Sequence, residues 1–289
     1  MFIQEIDNAA DFAALTSSLL EADPFGILLT LDDYFAAKHV PTQCYVGTIS
    51  TRSYAVVSPK RVAISRLMST LEAESLGKSL SRVASLATLS RIQGPLAASL
   101  AFARGYCQHR PNIEFRPTAT MLMYYLDTSP RVPQHVRGTL RAANALLDYE
   151  LLVEWCTHAL DSLGESSVNI QEHVTRGLEH KTLFLWDING YPVGFIDHTL
   201  PTQVGGGHRF VIKVRLVYIV SSAQRHGYGT AMLASLCHHL QDSIKASSCR
   251  VVVNVDQECL AANKAIRNAG FALHDHVTIT ADRVKSTTP

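Results

Sequence analysis

Hydrophobic and polar positions change their period repeatedly along this chain, and the changes are sharpest in its second half. Phe210 to Val220 reads FVIKVRLVYIV, a β-branched run that predicts a long strand. From Tyr228 onward, Met232, Leu233, Leu236, Cys237 and Leu240 fall on one helical face. Cys249 to Val255 (CRVVVNV) predicts a short buried strand. Glu258 to Ala269 keeps helical spacing through Leu260, Ala261, Ala265 and Ile266, and Gly270 suits the position just past that helix. Upstream, Thr139 to Ala142 reads as a strand, and Leu146 to Leu163 and Val168 to Glu179 as helices. Thr182 to Asp187 and Tyr191 to Thr199 form a hairpin about Ile188-Asn189-Gly190, Asn-Gly being a strong turn signal. Leu200 to His208, with Gly205-Gly206-Gly207, reads as a flexible loop that could close over a substrate or be a solvated turn.

In the first half, Ala9 to Leu20 opens after Asp7-Asn8, which can cap a helix, and roughly Phe25 to Lys38 predicts a second helix. Cys44 to Ile49 and Tyr54 to Ser58 read as a hairpin. Leu71 to Ala84 and Pro95 to Gln108 carry helical spacing, with Pro95 suited to a first turn, and Thr120 to Leu126 predicts a strand. Asp127 to Arg137, with Pro130 and Pro133, favours an extended connector. The domain boundary is placed there, giving residues 1–130 and 136–289. The class expected is α/β, an α+β mixed sheet.

Bulk properties narrow the function. A chain of 289 residues with 47% hydrophobic content can bury a core in each of two domains. A net charge of +1 with 18% charged residues leaves no electrostatic footprint for nucleic acid or an anionic membrane. The start, MFIQEIDNAADF, lacks the pattern of a signal peptide, and no apolar run has the length of a membrane span, so a cytoplasmic protein is expected. Cys44, Cys107, Cys156, Cys237, Cys249 and Cys259 include no CxxC pair and read as small buried thiols, with no metal site expected.

The chemistry concentrates at Gln224-Arg225-His226-Gly227-Tyr228-Gly229-Thr230, between the long strand and its helix. A helix start leaves backbone N–H groups unpaired, and the two glycines let phosphate oxygens approach without meeting a Cβ. The result is an anion seat that needs no basic side chain. Its bland alternative is a glycine corner that binds nothing. A phosphate-loop lysine and a Gly-x-Gly-x-x-Gly fingerprint are both missing, which counts against a nucleotide-binding α/β protein.

Strand, Gln224-x-x-Gly227-x-Gly229, helix, strand, a helix carrying Asn263, then Gly270-Phe271 resembles the GCN5-related N-acetyltransferase (GNAT) superfamily. Gly138-Thr139-Leu140-Arg141-Ala142, Asp148, Leu151-Leu152 and Trp155 are similar to a subgroup with two acetyltransferase-like halves, of which glycine N-acyltransferases are more distant relatives. The resemblance spans Val136 to Thr280 well and Asn8 to Leu126 loosely. It implies a GNAT fold in the C-terminal half and a degenerate GNAT-like N-terminal half without a cofactor seat.

That resemblance implies an acetyl-CoA or other acyl-CoA co-substrate and an acyl transfer to a small amine, an amino acid or a protein lysine. Gln224, Arg225, His226, Gly227, Tyr228, Gly229, Thr230 and Asn263 would contact the cofactor, and the backbone of Val217, Tyr218 and Ile219 would pair with its pantetheine arm. Arg225 and His226 stand where the subgroup commonly has Gly-Arg or Gly-Lys. Ile266 replaces a tyrosine that in many relatives protonates the leaving thiolate. General-base candidates are Asp256, which matches an aspartate of the subgroup, and His198, Tyr218, Asp197, Glu258 and His208. An aspartate in the place of Asp256 is more often a turn or capping group. A covalent route through Cys259 lacks a partnered histidine in the sequence. A catalytically weak CoA-binding protein with a regulatory role is the alternative.

Overall fold

Strands from opposite ends of the chain lie side by side in one sheet, in a computed structural model that describes residues 3–6, 11, 43–47, 53–126, 128–163, 169–203, 209–244 and 248–285. The two expected helices at 9–20 and 25–38, the tip of the first hairpin, the triple-glycine loop and His208 lie outside the described residues.

The first half contributes β1 (Ile3–Ile6), β2 (Gln43–Gly47), β3 (Tyr54–Val57), β4 (Arg61–Ile64), α1 (Thr70–Leu80), β5 (Arg91–Gly94), α2 (Leu96–Cys107) and β6 (Ile113–Leu126). The second contributes β7 (Thr139–Ala142), α3 (Ala145–Ser162), α4 (Ile170–Glu179), β8 (Leu183–Ile188), β9 (Tyr191–His198), β10 (Thr202–Gln203), β11 (Arg209–Ile219), α5 (Tyr228–Ser243), β12 (Ser248–Asp256), α6 (Leu260–Asn268) and β13 (Ala272–Lys285). The sheet order is β1-β2-β3-β4-β5-β13-β6-β12-β11-β9-β8-β7, with β10 paired off this path to β11.

Read inward from either edge, the same succession appears. Three meandering strands lead to a parallel strand-helix-strand unit, β4-α1-β5 in one half and β11-α5-β12 in the other. The next strand is then exchanged: β13 completes the first half beside β5, and β6 completes the second beside β12. β6 and β13 pair with each other from Ala272↔Tyr125 to Lys285↔Ile113. The strand order of the first half thus repeats that of the second, and the two are joined through exchanged strands.

The α/β class and the main second-half elements match the sequence pattern. The periodicity does not anticipate β1, β4, β5, β10 or β13, and it starts β6 at Thr120 where the strand begins at Ile113. That early stretch contains Pro117, which lacks an N–H. The ladder accommodates it by shifting register beside it, between Thr280 and Ala281 of β13. Helix α1 is shorter than expected, ending at Leu80 before a 3₁₀ turn at Ala84–Leu86. Cys259 is exposed, not buried; Cys156, Cys237 and Cys249 are buried and Cys107 partly so. Among the described residues no helix is long and apolar enough to cross a membrane, and no three His, Cys, Asp or Glu side chains gather as a metal site.

Three apolar clusters hold the layers. α1 and α2 cover the first half through Leu76, Leu80, Phe102 and Tyr106. In the second half α5 and α6 pack on one sheet face over Ile212 and Val214, and α3 and α4 on the other over Phe195 and Leu216. Strand β11 serves both faces because a bulge between Val214 and Leu216 changes its alternation.

Candidate active site

After β11 the chain makes a 3₁₀ turn at Ser221–Ala223, passes Arg225 at φ 71° and Gly227 at φ 83°, and enters α5. Gly227 is the N-cap and offers no side-chain cap; the first helical bond runs from the Ala231 N–H to the Gly227 carbonyl at 3.0 Å. The N–H groups of Gly227, Tyr228, Gly229 and Thr230 are therefore left for another acceptor. A Cβ built on Gly229 would find its nearest neighbour, Ile219 Cγ1, at 3.9 Å, so the space over those N–H groups is open.

Neighbouring side chains brace the turn. The Gln224 amide donates to the Ile219 carbonyl at 3.0 Å, and the Thr230 hydroxyl to the Ala265 carbonyl at 3.4 Å. His226 Nδ1 lies 2.8 Å from the Gln224 carbonyl, and its ring stacks on Tyr228. Arg225 is exposed, with no hydrogen bond or ion pair to the described residues. In the first half the equivalent helix start is filled by the protein's own anion. Ser69 Oγ accepts the Glu72 N–H at 3.2 Å, and Glu72 Oε2 accepts the Ser69 N–H at 2.9 Å.

Beside the seat the sheet splits. β11 and β12 pair in parallel from Arg209↔Ser248 to Val214↔Val253 and then part, while β11 stays paired to β9 through Ile219↔Gly194. Val220 donates to the Val193 carbonyl at 3.0 Å. Backbone groups alternate sides along a strand, so the Tyr218 peptide groups face β9, and those of Val217 and Ile219 face the split. A cavity of about 710 Å³ fills the opening between Val217 and Tyr218 on one side and Asn254 and Asp256 on the other, with Gly229 of α5 and Ile266 of α6 in its wall. It continues along the first half's sheet past Arg61 and Arg91.

Tyr218 and Asp256 line this cavity; His198 does not. Asp256 ends β12, where its Oδ1 accepts the Glu258 N–H at 2.9 Å. Tyr218 sits among Trp155, Phe195 and His158, with ring centroids 5.9, 5.9 and 6.5 Å away. His198 is buried against Phe184 with Nδ1 2.7 Å from the Thr199 carbonyl. A carbonyl can only accept, so Nδ1 carries the proton and Nε2 is bare, with no partner among the described residues. Burial pushes the His198 pKa down, favouring the neutral ring.

Asn263 is buried, with Oδ1 accepting the Tyr124 hydroxyl at 2.9 Å and Nδ2 donating to the carbonyls of Asp256 at 2.9 Å and Cys259 at 2.8 Å. It fastens the β12-α6 turn to β6, a strand of the other half. Sequence reasoning misses Tyr124, because the partner lies 139 positions away.

Behind the bulge, Asp197 is fully buried. Arg215 reaches its two oxygens from Nε and Nη2, each at 2.8 Å, Thr182 Oγ1 lies at 3.2 Å and His173 Nε2 at 3.1 Å. Burial pushes the Asp197 pKa up, but His173 and Arg215 outweigh it and hold the carboxyl below the usual range. Asp197→Ala, which removes the buried carboxylate of this cluster together with its hydrogen bonds, is expected to cost about 3 kcal/mol in urea unfolding at neutral pH. The carboxylate's contribution is complete above its unfolded pKa near ~4 and fades as pH falls through the lower folded value. Asp197→Asn should accordingly lose part of the wild-type acid dependence below about pH 4; an unchanged pH profile would remove Asp197 from that account.

A strand split next to an open helix start leaves room and unpaired N–H groups that an extended ligand with an anionic end could use. Residues 149–271 match the Acetyltransferase (GNAT) family, a stretch that contains the seat, the split and Asn263. The likeness to that family therefore lies in the second half of the chain. Solved structures similar to the whole chain include an acetyltransferase of the GNAT family from Colwellia psychrerythraea, at 14% identity over 99% of this chain and 100% of that one, with a TM-score of 0.59. A Drosophila protein is similar at 11% identity over 98% of each chain, TM-score 0.65. A tandem GNAT protein from the clavulanic acid biosynthesis pathway, solved without AcCoA, is similar at 11% identity over 99% of each chain, TM-score 0.55. At such identities the likeness is one of fold. No curated protein matches the sequence.

Proposed function

We propose that the protein is an N-acyltransferase that moves an acetyl or other short acyl group from acyl-CoA to a primary amine by direct attack. Residues 136–289 form the catalytic unit, and residues 1–130 supply the far wall of the acceptor groove. The observation that carries this reading is the uncapped start of α5, with Gly229 open above it, at the mouth of the split. Bound acyl-CoA supplies the acyl group activated as a thioester. The residues present fit its shape: N–H groups of 227–230 for the diphosphate, and the Val217 peptide groups with the Ile219 N–H for the amide-bearing arm. A Val217 N–H directed at the acyl oxygen would stabilise charge developing there.

Asp256 takes the proton that the attacking amine must lose, and Tyr218 borders the same space. The leaving sulfur meets an apolar wall at Ile266. A thiol of pKa about 8.5 leaves tolerably without a proton donor. The acceptor is a small amine or amino acid, or a protein lysine, and a cytoplasmic setting suits an acyl-CoA co-substrate. Asp256→Asn is expected to lower kcat by about 10²-fold with acetyl-CoA affinity retained, read by thiol release and by calorimetry. An unchanged kcat would exclude Asp256 as the base.

Ile266 favours a second reading, a protein that holds CoA without turnover. Thiol release from acetyl-CoA with a panel of amines separates the two. Tight binding with no turnover for any amine selects the second, and absence of CoA binding rejects both.

A further inference from the structure

The β12 run from Val251 to Val255 holds four valines and one asparagine, Asn254. Asparagine is a poor strand former, and a β-branched residue would suit that place better. Val251, Val253 and Val255 pack on the α5 and α6 side, so strand alternation puts Asn254 and Asp256 on the opposite face, where both line the cavity. The register agrees: Asp256 lies opposite Met121 of β6, another lining residue, and Asn254 opposite Met123.

The Asn254 side chain is half-buried and makes no hydrogen bond with the described residues. Met123 beside it is apolar, and on its other side β11 has parted from β12 after Val214↔Val253. Asn263 shows the contrast, with both ends of its amide bonded to the protein. The Asn254 amide therefore serves no polar contact among the described residues. Asp256, two residues on, accepts the Glu258 N–H through Oδ1, and its Oδ2 has no partner among the described residues. Side chains at this spacing on one strand face stand about 6.6 Å apart, so a nitrogen atom between them lies within hydrogen-bonding reach of both. An attacking primary amine uses its lone pair to form the C–N bond and gives up one proton, which Asp256 takes as the thiolate leaves. The other N–H stays in the amide product. It calls for an acceptor that will not remove it, and a side-chain amide carbonyl is one.

We propose that Asn254 binds the acceptor nitrogen, its Oδ1 receiving the N–H that the acceptor keeps, and so selects primary amines over their N-alkylated forms. This rests on the acyl-transfer reading above and adds to it the group that orients the attacking nitrogen.

The test pairs butylamine, glycine and Nα-acetyl-lysine amide each with its form methylated at the reacting nitrogen, which has one N–H fewer, using acetyl-CoA and thiol release. Asn254→Val, which extends the valine run and so keeps the strand, is expected to lower kcat/KM about tenfold for the best primary amine and far less for its methylated partner. Equal losses for the two, no loss for either, or a wild-type protein that acylates both alike overturn the proposal. A calorimetric titration of the same amines into the protein with excess CoA keeps the two readings apart. If no amine is acylated, the acyl-transfer reading fails and the titration decides alone. A primary amine that binds more tightly than its methylated partner, by a margin that Asn254→Val removes, retains the nitrogen site, and no binding, or binding untouched by the substitution, removes it.

Discussion

Valine in place of Gly229 is expected to lower CoA affinity by about a hundredfold or more while leaving the fold unchanged. Gly229 is the second residue of α5, and the nearest atom to a Cβ there is 3.9 Å away, so the protein itself has room for a side chain. Valine is also no worse a helix former than glycine. What the new methyl groups fill is the space above the exposed N–H groups, where phosphate oxygens would have to come. Losing two charge-assisted bonds, each about 1.5–3 kcal/mol, accounts for the factor. Gly227 makes a poorer test. Its φ of 83° strains any other residue, and a Cβ there would lie 3.1 Å from Val136 Cγ2, so lost affinity would mix with a distorted turn. Calorimetry with CoA beside a thermal melt checks the expectation. A Gly229→Val protein that melts normally and binds CoA like the wild type would show that these N–H groups are not the seat.

The seat is legible in the sequence because everything that makes it is local. An apolar β-branched run, two glycines and a helical stripe lie within about thirty positions, and the strand and helix fall within a residue of where the pattern puts them. His198 shows where such reading ends. Its neighbour Asp197 suggests a paired acid and imidazole, but successive strand residues point to opposite faces. Asp197 meets Arg215 and His173 on the α4 side, and His198 lies on the α5 side. Asn263, which the family resemblance sets against the cofactor, is instead buried, with its amide satisfied by Tyr124 and the turn carbonyls. Strands β4 and β5 have four residues each, too few to set a period in the sequence. β13, which pairs with β5, is nearly two hundred positions away, so no window of sequence contains that pairing.

Expressed alone, residues 136–289 are expected to yield no folded monomer that binds CoA, although the proline-bearing connector marks a natural cut. The exchanged strands are the reason. Without the first half, β12 loses its pairing from Val251 to Asp256 with β6, and Asn263 loses Tyr124. Met123, Tyr124 and Leu126 of β6 are buried in the finished sheet, and at about 1.5–3 kcal/mol per large apolar side chain their removal approaches the whole stability of an ordinary domain. β13 would also carry Ile279 and Ala281, core residues of the first half, into water, beside a bare β12 edge open to pairing with other chains. Co-expression of residues 1–130 with 136–289 supplies both swapped strands and should restore a one-to-one complex with CoA affinity near that of the intact protein. Size-exclusion chromatography, urea unfolding and CoA titration of the lone fragment and of the pair check this. A lone fragment that unfolds cooperatively as a monomer and binds CoA normally would mean that β6 is dispensable to the catalytic half.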